Sequence, residues 1–394
     1  MKRTKSKFIL VFIISCLLTG CWDNMEIDSK CFISTIGIDV GKDMEQLKRA
    51  KEIESDEPFA AREIKKLNVT YGYPDMSQLG PGKAGTAESK SLSVEGSSMQ
   101  DALILATLKS SRKLTLGHSK LLLLSNEVLE YPEAIKEIMD YFQREPFINR
   151  MMHVVVTSGK TDDYIAHKPD MENNIEYYIS GLMKQTESRA SVMPMTVNEM
   201  LKLLTENGNV LIPKILLDKE TNEIILKGVA IIKDYELVGN LSSLETADLS
   251  IIKGFNQGGS RLIYVKGRPL DFTFEGEGRQ IKITNKSKNK LNIQIKVLLE
   301  GQIKGYYVEE KVSKSLDLEV IEDDIKKALS EECTKVANMI QRNYGIEPFG
   351  IQEYLTKFQP SLWKEIKHNW DDVYKNSNIE IIVETKIRRI GVTD

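Results

Sequence analysis

An apolar core of 11 residues, FILVFIISCLL from Phe8 to Leu18, follows MKRTKSK, which carries four positive charges and no negative one. Roughly 20 apolar residues are needed to cross a bilayer as a helix, so this run is too short to be a comfortable span. A basic start, an apolar core and small residues at the end make the layout of a secretory signal. The tail Leu18-Thr19-Gly20-Cys21 matches a bacterial lipobox. Such a signal is cut between Gly20 and Cys21. The thiol then carries a diacylglyceryl group, and the new terminus an acyl chain. An ordinary signal peptide that happens to hold a cysteine, or an uncleaved anchor, would use the same residues. The abrupt change to Asp23-Asn24-Met25-Glu26 favours the lipoprotein. Two acyl chains suffice for stable anchoring where one is marginal.

Removal of 1–20 leaves 374 residues, too many for one ordinary core, and no later segment reaches 18 apolar residues. The remaining chain has 50 basic and 57 acidic side chains. That balance argues against nucleic acid as a partner and against attachment to anionic lipid by charge alone. Only Cys31 and Cys333 remain beyond Cys21, so there is no disulfide framework. Cys333 lies on a row with Leu318, Ile321, Ile325, Leu329, Val336 and Ile340, the three-and-four spacing of one buried helix face. A buried thiol is the simpler reading for both cysteines, with a Cys31–Cys333 bridge as the alternative.

Along the chain, 31–40 and 67–73 read as strands around a charged stretch, 42–66, that could be a helical insertion or a loop. Residues 74–90 read as an exposed loop. Ser98 with Asp101 resembles a capping box opening a helix to about Ser111. LLLLS (121–125) and HVVVTS (153–158) are strands, with helices at 132–144, 172–187 and 196–206. Three short strands follow at 210–218, 224–233 and 236–241, the last two joined tightly at Asp234-Tyr235. A helix runs from 242 or 243 to 252. Strands 279–284 and 291–299 flank a polar turn, a long helix covers 317–343 before Gly345, a further helix carries Trp363, Ile366, Trp370 and Val373, and 379–390 is a closing strand. The expected class is α+β, three domains of mixed sheets packed by helices, at 21–190, 191–268 and 269–394 after the signal at 1–20.

No phosphate-binding glycine loop, nucleophile elbow, zinc-protease helix or calcium loop is present. The four histidines lie too far apart in sequence for a local zinc site. His118, in LGHSK, reads as a satisfied polar group. Asp162-Asp163 and Asp323-Asp324 read as complements to helix N-termini. Trp363 and Trp370 read as core, with a sugar-stacking site as the sharper alternative. An enzyme is therefore not expected, nor a metal or cofactor beyond the lipid on Cys21.

Several segments together resemble one known family. Cys21-Trp22-Asp23 with Glu26-Ile27, then Ile36-Gly37-Ile38-Asp39, Gly117-His118-Ser119-Lys120 and Tyr141-Phe142-Gln143-Arg144 follow in order. Gly228-Val229-Ala230, Leu237-Val238-Gly239 with Glu245 beyond, and Trp363, Trp370 and Gly391 near the end complete the set. The pattern is similar to the Ger(x)C spore germination lipoproteins, the C subunits of nutrient germinant receptors. The resemblance picks out Trp22, Asp23, Glu26, Gly37, Asp39, Gly117, His118, Arg144 and Gly239 as structural motif residues. It implies a lipid-anchored body on the outer face of the spore inner membrane, assembled with integral-membrane A and B subunits, with no catalytic residues. Nutrient recognition would fall to the B subunit, so direct small-molecule binding is not expected of this chain. The alternative is a solute-binding lipoprotein of a membrane importer, which would need two similar lobes around a cleft.

Overall fold

The structure is a computed structural model that describes residues 29–46, 64–75, 79–80, 83–84, 87–187, 192–254, 258–265, 267–287, 289–306 and 318–390. The lipobox, Gly20 and Cys21 with it, and the motif residues Trp22, Asp23, Glu26 and Gly391 lie outside the described residues, as does most of the charged stretch 42–66.

The expected strand over 31–40 is two strands, β1 (Lys30–Phe32) and β2 (Thr35–Val40). They are followed by β3 (Leu67–Pro74), the two-residue pair β4 (Leu79–Gly80) and β5 (Lys83–Ala84), and β6 (Ser89–Gly96). Helix α1 (Met99–Lys109) starts at Ser98, whose hydroxyl accepts the Asp101 N–H at 3.1 Å. The return bond of the expected capping box is displaced by one residue: the Asp101 carboxylate takes the Ser97 N–H. Next come β7 (Lys113–Thr115), β8 (Leu121–Ser125), α2 (Pro132–Arg144), β9 (His153–Thr157), α3 (Thr161–Ala166), α4 (Ile175–Glu187) and α5 (Val197–Asn207). The first part ends with β10 (Asn209–Asp218), β11 (Glu223–Lys233) and β12 (Glu236–Leu241).

These strands build an eight-stranded sheet in the order β12-β11-β10-β9-β8-β2-β3-β6. Its centre is parallel, β10-β9-β8-β2, and its wings are antiparallel. The physical reason is visible in LLLLS: a strand covered on both faces needs apolar residues at every position. Leu122 and Leu124 enter one core with α1, α2 and α5, while Leu121 and Leu123 enter another with α3 and α4. Each fully buried leucine contributes about 1.5–3 kcal/mol relative to exposure.

The second part comprises α6 (Ser243–Lys253), β13 (Gly259–Val265), β14 (Arg268–Ser287), β15 (Lys290–Tyr306), α7 (Leu318–Met339), α8 (Ile351–Phe358), α9 (Pro360–Ile366), α10 (Trp370–Asn376) and β16 (Asn378–Ile390). Its four strands pair in the order β13-β14-β15-β16, with β16 parallel to β15. On α7 the apolar row Ile321, Ile325, Leu329, Cys333, Val336 is buried against this sheet, whereas Leu318 at the helix start is 38% exposed. The helix runs on through a π turn, Ile340–Tyr344, and stops at Gly345 in the left-handed region (φ +61°).

Three expectations change here. Strand β13 was not anticipated, because its pattern is inverted: Arg261 is buried while Leu262 and Tyr264 point out. The helix expected to carry both tryptophans is two short helices separated by a 3-10 turn, Lys367–Asn369. The segment 191–268 is shared between the two sheets: β10, β11 and β12 complete the eight-stranded sheet, while α6 and β13 join the second core. Alternation along β11 explains the sharing. Ala230 and Ile232 face the first core, and Val229 and Ile231 face the second.

Candidate functional site

Gly37 and Asp39 stand two residues apart on β2 and face the same side. A Cβ on Gly37 would collide with Thr161 and Ile165 of α3, so the missing side chain lets the helix lie on the strand. Asp39 then receives the Thr161 N–H at 3.0 and 3.1 Å on its two oxygens and the Thr161 hydroxyl as well. Lys160 offers no side-chain cap to this helix, so the Asp39 carboxylate from the sheet takes that part. Burial pushes the Asp39 carboxyl above its ordinary range, and the Thr161 bonds pull the other way.

Gly117 and His118 form a single 3-10 turn, Leu116–His118. Ser119 beside them is fully buried and donates its hydroxyl to the Ile33 carbonyl at 3.2 Å, while the Lys120 N–H bonds the Ser34 carbonyl at 2.8 Å. The turn thus seals the break between β1 and β2. On its other side the Asn149 amide donates to the Ser119 carbonyl at 2.8 Å. His118 is exposed, with its ring edge-on to Phe32 at 4.9 Å between centroids.

Arg144 is exposed and ion-paired with Asp140 one turn back at 2.8 Å. The residue that closes the end of α2 is Arg150, donating to the Phe142 carbonyl at 3.1 Å and the Gln143 carbonyl at 2.6 Å. Only its basic charge a few residues after the helix could have signalled this role.

Gly239 lies where the two parts meet. A Cβ there would come within 3.0 Å of Tyr344 Cδ1 and closer still to Cε1 and Cζ. The Tyr344 hydroxyl donates to the Asn240 carbonyl at 3.4 Å, and Lys233 Nζ donates to the Gly345 carbonyl at 3.1 Å. The hairpin that presents this surface turns at Asp234-Tyr235, both at positive φ (50° and 71°), as a two-residue connection requires.

Two buried charged groups escaped the sequence reading, the first because it is assembled from separate elements, the second because only the fold buries it. Asp248 on α6 meets Arg261 on β13, which also reaches Glu332 on α7 at 3.2 Å. Burial raises the Asp248 carboxyl to about 7, against the pull of Arg261. Glu347 accepts the Phe349 and Gln352 N–H groups at 2.7 and 3.1 Å, which caps α8 where Gly350 cannot. Burial raises it to about 7, against those bonds and Arg279.

Cys31 and Cys333 are both free and buried. Trp370 is buried, edge-on to Trp363 at 5.4 Å and stacked on Tyr374 at 5.6 Å, and Trp363 is half-buried against the same core. Among the described residues, no group of three or more His, Cys, Asp or Glu is placed to hold a metal ion, and no helix is long and apolar enough to cross a membrane.

The described motif residues therefore seat a helix (Gly37 and Asp39), form the turn that seals a strand break (Gly117 and His118) and bring two sheets together (Gly239), while Arg144 pairs with Asp140 on the surface of its helix. This is the construction of a two-part α+β body. The family description "Spore germination protein N-terminal domain" matches residues 23–217, and "Spore germination B3/GerAC like, C-terminal" matches 227–391. Spore germination proteins YndF and A3 of Bacillus subtilis (strain 168) are each 24% identical. The first alignment covers 99% of this chain and 98% of that protein, the second 98% of both. Spore germination protein B3 of the same organism is 23% identical over 99% of both. The crystal structure of the GerBC protein shares the fold, with a TM-score of 0.56 and 18% identity over 82% of this chain and 93% of that one. The chain belongs to the spore germination B3/GerAC-like family, and its fold is α+β.

Proposed function

We propose that the chain is the lipid-anchored C subunit of a nutrient germinant receptor, held on the outer face of the spore inner membrane. Its work is binding, not catalysis: it assembles with integral-membrane A and B subunits and supports the signal that follows nutrient recognition. The observation that carries this reading is the likeness to spore germination proteins over 98% of the chain, with the N-terminal family match beginning at residue 23, two residues after the lipobox cysteine. A tether suits such work, since confinement at a surface raises effective concentration and lets weak faces suffice. An importer's solute-binding lipoprotein would need two lobes facing across a cleft. Here the two parts share a buried apolar seam that includes Leu211, Val229, Ile231 and Leu241.

Complementation in spores tests the proposal. A deletion strain is given the wild-type gene or Cys21→Ala. The expected result is that the deletion loses germination on at least one nutrient, that wild type restores it, and that Cys21→Ala restores little while the protein leaves the membrane fraction. A deletion that germinates like its parent on every nutrient would overturn the receptor role.

A further inference from the structure

We propose that the C-terminal end of α1 and the basic cleft beside it form a binding face for anionic phospholipid headgroups, which sets how the body sits on its membrane. The proposal rests on the lipid-anchor reading above. A cleft of about 290 Å³ opens beside β1 and β7, and Lys30, Lys109 and Arg112 line it. The acidic group on its wall, Asp75, is already bound to Lys90 at 2.6 Å. Lys30, Lys109 and Arg112 have no ion-pair partner among the described residues. The next cleft along differs, for there Lys42 pairs with Glu95 and Lys65 with Asp101, each at 3.4 Å. Three uncompensated cations at one concavity match phosphate, which a guanidinium and ammonium groups bind by charge-assisted hydrogen bonds.

A second, independent feature lies on the adjoining helix. One side of α1 buries Met99, Ala102 and Ala106 in the core. Away from that side, Ile104 and Leu108 stand one turn apart and are 50% and 78% exposed, with Lys109 next to Leu108. The helix therefore has apolar residues on two sides, and the outer pair ends at the basic cleft. Exposed apolar groups flanked by cations are the equipment of a peripheral membrane contact, the first entering the headgroup boundary and the second meeting phosphate.

Chain length supplies the third point. Seven residues lie between Cys21 and Ser29, and the eight steps from one to the other reach at most about 29 Å. Lys30, the next residue, lines the cleft, so a lipid on Cys21 holds this face near the bilayer. The net negative charge of the mature body is repelled by an anionic surface, so overall charge does not supply the attachment. The tether supplies attachment, and the local cations supply orientation.

The test uses the full chain, purified after expression with its own signal, its N-terminus read by mass spectrometry. It is placed in nanodiscs of phosphatidylcholine alone or mixed with phosphatidylglycerol, and amide hydrogen exchange is followed over 104–114. Exchange is expected to slow on the anionic discs, and each of Lys30→Gln, Lys109→Gln and Arg112→Gln to reverse about fivefold of that protection. Leu108→Ser should weaken it without changing its dependence on charge. Equal exchange on both discs, by a protein that carries its lipid, would overturn the headgroup site and leave the anchor standing. A missing lipid with charge-dependent protection would do the reverse. Protection by inorganic phosphate without discs, equal to that on anionic discs, would mark a free-anion site and also overturn the proposal.

Discussion

Gly239→Ala probes the seam between the two sheets. One methyl group at this position must occupy space now held by the Tyr344 ring, with Cδ1 at 3.0 Å and two ring atoms nearer. The ring cannot retreat freely, because it sits at the end of the π turn before Gly345, and its hydroxyl and the neighbouring Lys233–Gly345 bond span the same seam. Overpacking of this kind costs about 1–3 kcal/mol. The ring, not the strand backbone, is the obstacle. Removing the ring with Tyr344→Ala should therefore make Gly239→Ala nearly neutral, within about 0.5 kcal/mol, and a double-mutant cycle should return a coupling on the order of 1–2 kcal/mol. Urea unfolding followed by the fluorescence of Trp363 and Trp370 reports on the second part, and hydrogen exchange at β12 reports on the first. The two readouts need not coincide in a two-part protein, so each is analysed separately. If Gly239→Ala costs as much without the ring as with it, the close approach is not the reason for glycine here.

Two further outcomes follow from burial. Glu347 has its carboxyl raised from 4.5 to about 7, so the folded state keeps a proton that the unfolded state gives up. Its contribution is full below about pH 4.5 and is lost as pH rises to about 7, by on the order of 3 kcal/mol at most. Denaturation midpoints of the second part should fall over that window, and Glu347→Gln should flatten the slope; an unchanged slope would refute the assignment. Cys31 and Cys333 are buried, and burial raises both thiols. A thiol reagent should therefore label neither in the native lipidated protein and both in denaturant, whereas rapid native labelling of either would contradict its placement.

Local order was readable wherever a residue's neighbours in sequence are also its neighbours in space. The row on α7, the tight turn at Asp234-Tyr235, the cap at Ser98 and the double-sided apolar run of β8 depend on spacing alone, and each appears close to where spacing puts it. The motif residues were recognisable one by one, but their tasks were not. That Asp39 caps a helix 122 positions away, or that Gly239 makes room for Tyr344, depends on which surfaces meet after folding. The same reason hid β13. Arg261 reads as an outward residue until Asp248 on α6 and Glu332 on α7 close around it, and only then does burying its charge cease to be prohibitive. It also hid the basic cleft, whose cations come from β1, the end of α1 and the turn after it, in a chain that is acidic as a whole. Sequence periodicity determines which face of an element is apolar, because that follows from backbone geometry. Tertiary structure alone decides which two faces come together, because that choice depends on the shape and charge of every element at once.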